Sequence, residues 1–226
     1  VDPLKTFKNL SKEKQQRICQ IAIEEFSQNG YGRASINTMV KRLGIAKGSI
    51  FQYFGDKKGL FLYAFEMAME QVKLYLKTTR DESKDQDIFA RLEKTLLAGI
   101  RFLKKHPVIF RLYLRVMFDS SIPFREEVLL SLRKDSHDFL RSMLESAGNG
   151  GEIRKGLNYD HTAFLLDAIM DRFLQARSIP HLDGGLGLFS CDEKIAETWA
   201  ADIIDILRFG IGAIDSRSGK PQEPAS

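Results

Sequence analysis

Two cysteines, Cys19 and Cys191, are all that 226 residues hold, and they are too far apart to form a CxxC pair. Neither a disulfide framework nor a zinc cluster is suggested, so a reducing, cytoplasmic setting is expected. Cys19 falls among Ile18, Ile21, Ala22 and Phe26 and reads as a small core residue. Histidine is equally sparse: positions 106, 137, 161 and 181 show no ligand spacing. There is no HExxH, no phosphate-binding glycine loop and no G-x-S-x-G elbow, which removes the common signatures of metalloenzymes, nucleotide hydrolases and serine hydrolases. No stretch approaches the ~20 uncharged apolar residues of a membrane span. Val1–Asn9 lacks the apolar run of an export signal, so no membrane partner is expected. Alternating β-branched runs bounded by turns are also missing, which excludes a sheet. Acid is scarce at one end only: residues 1–60 carry 11 Lys and Arg against 5 Asp and Glu, whereas the remainder carries 23 against 25. A basic head on a near-neutral body fits a nucleic-acid partner, although a solvated lysine-rich surface has the same composition.

What is present is helical patterning. Hydrophobic residues make up 43% and charged residues 28%, enough apolar surface for a folded core. Apolar positions recur at helical spacing almost throughout, so the fold reads as all-α with about nine helices. The first starts after Ser11, a capping residue, and stops at Asn29-Gly30. Ser35 caps a short second helix that ends at Gly44, and a third runs from about 46 to 54. Asp56 caps a long fourth helix reaching about 79, followed by a charged loop from 80 to 87. Further helices are expected over about 88–105, 107–118, 123–147, 160–178 and 192–214, with Pro107 and Pro123 at helix starts. The tail 215–226, with Pro221 and Pro224, reads as disordered.

Residues 35–54 carry the sharpest signal. Two short helices flank the tight turn Gly44-Ile45-Ala46, behind a longer supporting helix, which is helix-turn-helix geometry. Leu43, Ile45 and Ile50 pack the pair against Phe26 and Ile36, leaving Lys47, Ser49 and Gln52 on the outward face of the second short helix.

The segments "ICQIAIEEFSQNGYGRAS", "INTMVKRLGIAKGSIFQYF" and "GDKKGLF", in that order from Ile18 to Phe61, resemble the DNA-binding domain of TetR/AcrR-type transcriptional regulators. Two positions depart from the family pattern. Ala46 stands where Ser or Thr commonly caps the recognition helix, and Phe51 stands where Tyr often reaches a phosphate. Side-chain chemistry then assigns roles. Arg33, Lys41, Lys47 and Lys57, with Ser35 and Tyr53 as hydroxyl donors, are candidates for phosphate contacts. Gln52, which can read adenine bidentately, and Ser49 and Asn37 are candidates for base edges. Gln52 and Asn37 are equally readable as solvated surface.

The resemblance implies residues 1–56 as a helix-turn-helix DNA-binding domain and 57–214 as a helical ligand-binding and dimerisation domain. It implies a homodimer on a near-palindromic double-stranded operator, and a small-molecule effector held in an apolar cavity. Phe65, Met69, Phe110, Tyr113, Leu114, Met117 and Phe164 are cavity candidates, although such aromatics and methionines are more often plain core. Asp167 and Asp171, one turn apart, either meet a cationic ligand or pair internally with arginines such as Arg111 or Arg115. Phe173, Ala200, Ile203, Ile204, Leu207, Gly210 and Ile211, with Gly212, are candidates for a four-helix bundle with the partner. No cofactor and no metal are expected. Two other classes stay open: a DNA-binding scaffold that senses nothing, and a helical metal-dependent enzyme around His161, Asp167 and Asp171.

Overall fold

The computed structural model describes residues 3–211, and among them the secondary structure is entirely helical. Ten helices follow in order: α1 (Pro3–Lys8), α2 (Lys12–Arg33), α3 (Ile36–Leu43), α4 (Lys47–Phe54), α5 (Lys57–Glu82), α6 (Ile88–Lys105), α7 (Pro107–Phe118), α8 (Arg125–Asn149), α9 (Tyr159–Ala176) and α10 (Glu193–Phe209). Gly212 and the expected tail 215–226 lie outside the described residues.

Local capping explains most of the boundaries. Ser11 Oγ accepts from the Lys14 amide, Ser35 Oγ from Thr38, Asn158 from His161 and Asp192 from Ile195, so each helix start satisfies one orphan donor. Asp56 Oδ1 takes the Gly59 amide at 2.7 Å and Asp87 Oδ1 the Ala90 amide at 2.9 Å, opening α5 and α6.

Several boundaries differ from the sequence expectation, among them the ends of α2, at Arg33 rather than Asn29-Gly30, and of α10, where Gly210 at φ 79° stops the helix at Phe209 rather than about 214. Residues 3–8 form α1, because Phe7 is fully buried against the rings of Phe54 and Tyr63, with centroids 4.8 and 5.0 Å away. Nothing inside that short basic segment signals this. The charged run after 79 is partly helical: α5 continues to Glu82 and ends where the buried Ser83 hydroxyl donates back to the carbonyls of Thr79 and Arg80. Finally, α8 begins at Arg125 rather than Pro123. The Arg125 guanidinium reaches back to the carbonyls of Val116 and Met117, capping the C-terminus of α7 instead of extending the turn.

The described chain divides into two compact units, residues 3–78 with 101–142 and residues 79–100 with 143–211. The first is built around Phe26, Met39, Ile50, Leu60, Phe61 and Leu112. There α2 packs on α7, α3 and α4 pack together, and α1 lies against α4. The second unit is centred on Leu96, Ile100, Phe173, Ala196 and Ala200.

Candidate nucleic-acid interface

The turn between α3 and α4 depends on Gly44, which closes α3 at φ 69° and ψ 32°, a left-handed conformation natural to glycine. Ile45 then returns its amide to the Val40 carbonyl at 3.2 Å. The second short helix, α4, is anchored from behind by Ile50 and Phe54, both buried. Its other face carries Lys47 and Gln52, exposed, and Ser49, half-buried. Ala46 at its N-cap provides no side-chain acceptor; its carbonyl takes the Ser49 amide at 3.0 Å, which leaves the amides of Lys47 and Gly48 to solvent or to an anion.

The remaining DNA candidates are placed as follows. Asn37 and Lys41 are exposed on α3. Ser35 is already an acceptor for the Thr38 amide, which leaves its hydroxyl proton to donate. Tyr53 is half-buried, with its ring edge 5.9 Å from Phe7, so α1 orients it. Lys57 points inward more than expected. Its Nζ donates to the Gly32 carbonyl at 3.2 Å and lies 5.0 Å from the centre of the Tyr31 ring. Burial pushes the Lys57 pKa down, and Glu25 offsets part of that effect. Arg33, at the end of α2, is exposed and lies in the field of Asp119.

One contributor is absent from the sequence analysis and a second enters it only as a departure from the family pattern. Glu25 is buried and accepts from the Ser35 amide at 2.9 Å and from Asn29 Nδ2 at 3.0 Å, tying the start of α3 to α2. Its signal is only that a charged residue sits on an otherwise apolar helix face. Phe51, noted for the hydroxyl it lacks, is 43% exposed on α4 with Lys47 Nζ 6.0 Å from its ring centre. An exposed aromatic on this face suits a thymine methyl.

Residues 18–64, the segment that builds this geometry, match the family described as "Bacterial regulatory proteins, tetR family". A TetR family transcriptional regulator from Chloroflexus aurantiacus J-10-FL superposes with a TM-score of 0.63 at 29% identity, over 91% of this chain and 96% of that one. The chain is a TetR/AcrR-family regulator. Its similarity reaches beyond the head of this regulator. The probable acrEF/envCD operon repressor of Escherichia coli (strain K12) is 22% identical over 166 residues, 71% of this chain and 74% of that protein. The transcriptional regulator FadR from Bacillus subtilis, solved in complex with stearoyl-CoA, shares the fold with a TM-score of 0.69 at 18% identity, covering 87% and 98% of the two chains.

The cavity candidates of this TetR-family chain fall in both units. In the first, Phe65 is buried and stacks on Phe61, while Met69, Phe110, Tyr113, Leu114 and Met117 are half-buried. Phe110 and Tyr113 stack with centroids 5.5 Å apart, and Arg133 donates to the Tyr113 hydroxyl at 2.8 Å and to the Met117 sulfur. In the second, Phe164 is 71% exposed, on the outer face of α9. Asp167 and Asp171 are half-buried and neither lacks a partner. Among the dimer candidates, Phe173 and Ala200 belong to the core of their own unit, Ile204 is buried, Ile203 and Leu207 are half-buried, and Gly210 and Ile211 are exposed. The exposed apolar residues of the same two helices are different ones: Phe164 and Leu165 on α9, and Ile195, Ile206 and Phe209 on α10.

Among the described residues no helix is long and apolar enough to cross a membrane, and no group of three or more His, Cys, Asp and Glu is placed to hold a metal ion.

Proposed function

We propose that the chain is a ligand-responsive transcriptional repressor that binds a near-palindromic operator as a homodimer in the cytoplasm and leaves it when a small apolar or amphipathic effector binds. The observation that carries this reading is α4: a short helix held by buried Ile50 and Phe54, with Lys47 and Gln52 turned outward beside Phe51. Such a rod enters a major groove, where Gln52, Ser49 and Asn37 face base edges and Phe51 meets a methyl group. Lys41, Lys47, Arg33, Ser35 and Tyr53 grip the phosphates, and Lys57 joins them by exchanging the Gly32 carbonyl for a phosphate oxygen.

In this reading residues 1–56 read DNA and residues 57–214 carry the effector and the partner subunit. The operon repressor of Escherichia coli and the stearoyl-CoA complex of the Bacillus subtilis regulator support a repressor with an amphipathic effector. They leave the scaffold and enzyme alternatives without support. The exposed apolar residues of α9 and α10 supply the surface that a partner copy covers.

Selection of bound sequences from random duplexes, followed by a salt titration on the selected site, tests the reading. A dimer touching ~6–10 phosphates loses ~10³ to 10⁵ in affinity between about 50 and 200 mM salt. Two half-sites about one helical turn apart are expected. No enrichment, or an affinity flat with salt, overturns the proposal.

A further inference from the structure

The first unit contains an open cleft of about 530 Å³ where the end of α2 meets the C-terminal half of α7 and the link to α8. That volume lies within the range of small-molecule sites. Three guanidiniums line it, Arg33 from α2 and Arg111 and Arg115 from α7, against the single carboxylate of Asp119. Arg115 is already used: its Nε and Nη2 donate to the carbonyls of Ser27 and Gln28, at 3.3 and 2.9 Å. Asp119 is used as well, accepting from the Ser121 amide at 2.9 Å and lying in the field of Arg115 and Arg33. Arg111 forms no hydrogen bond or ion pair among the described residues and is exposed at the cleft wall.

The positive charge is therefore uncompensated in a concave site, where it acts more strongly than on a flat surface. Beside it, the half-buried Leu114 and the exposed Phe118 supply an apolar wall one turn along α7. A forked cation that is free to pair, next to apolar surface, matches a particular ligand chemistry: an oxyanion head on an apolar body.

We propose that this cleft is a binding site for an amphipathic organic anion, a carboxylate, sulfonate or phosphate ester whose head pairs with Arg111 and whose apolar body lies on Leu114 and Phe118. Apart from Leu114, none of the cavity residues expected from the sequence lines the cleft. The site stands on its own geometry and does not depend on the operator reading.

The test compares two fluorescent probes on the full chain: anilinonaphthalenesulfonate, which carries the anion, and phenylnaphthylamine, which has a similar apolar body and no charge. Arg111→Gln, an exposed change that leaves the fold intact by circular dichroism, weakens the sulfonate about tenfold, the worth of one charge-assisted pair, and leaves the neutral probe unchanged. Leu114→Asn, with Arg111 in place, weakens both probes. Equal sulfonate affinity in the parent chain and Arg111→Gln overturns the proposal, as does an equal loss of both probes in Arg111→Gln. If Arg111→Gln instead lowers affinity for duplex DNA as much as Lys41→Gln does and leaves the sulfonate untouched, Arg111 is a phosphate contact and the small-anion site is overturned.

Discussion

At the scale of single residues, the N-cap of α4 is the weakest point of the DNA-reading head. Ala46 offers the first-turn amides no side-chain acceptor, only its own carbonyl to Ser49, whereas Ser11 and Ser35 cap α2 and α3 with their hydroxyls. Ala46→Ser restores that acceptor, stabilises the fold by ~1 kcal/mol and raises the thermal midpoint by a few degrees, read by circular dichroism. Cys19 is the opposite case, a residue silenced by its surroundings. Burial pushes its pKa up to about 11, so near pH 8 the thiol stays protonated. Alkylation of native protein at Cys19 is expected to be at least tenfold slower than in denaturant, followed by mass spectrometry; equal rates would show that the site is open. The caps at Ser11, Ser35, Asp56 and Asp192 were legible beforehand or follow the same rule, because a cap acts over three residues of chain. Glu25 was not legible. Its role needs Ser35, ten positions on, brought beside it by the fold.

At the scale of elements, the end of α2 decides how the head is held. Gly30 adopts φ 68° and ψ 172°, a region that only glycine enters readily. A Cβ built there would lie 2.8 Å from Asp119 Oδ2, on the α7–α8 link. Gly30→Ala is therefore expected to cost ~1–3 kcal/mol, measured as a shift of the urea midpoint. Asp119→Ala in that background recovers only the part due to contact. From the chain alone, Asn29-Gly30 reads as a helix stop; the structure shows a kink after which helical backbone resumes to Arg33. Likewise the late start of α8 goes with Arg125 reaching back to α7, and the persistence of α5 with Ser83, partners that periodicity cannot reveal. Phe7 makes the same point for α1. One aromatic residue in a basic segment has no helical pattern of its own, and becomes an anchor only where Tyr53, Phe54 and Tyr63 converge.

At the scale of the whole molecule, the outer faces of α9 and α10 leave large apolar side chains in water, Phe164 at 71% and Phe209 at 58% exposure. Under the homodimer reading these faces are covered by a second copy. Phe164→Glu combined with Phe209→Glu is expected to yield a folded monomer at micromolar concentration, seen by sedimentation and circular dichroism, with operator affinity lowered at least tenfold because two linked heads become one. A dimer that survives both changes would place the interface elsewhere.

Read along the chain, apolar spacing and capping residues determined an all-α protein, and three short segments in order determined a helix-turn-helix of the TetR type. Those signals are local: periodicity is written within a helix, and a cap or turn within four residues. The outward face of α4 was legible in this way, but that of α9 was decided only in three dimensions. Phe164 and Phe173 both suit a buried apolar stripe, yet one is solvent-exposed and the other is in the core. The inward turn of Lys57 and the gathering of Arg33, Arg111 and Arg115 around one cleft arise in the same way. Their cause is packing between helices distant in sequence, and a chain read one window at a time carries no record of it.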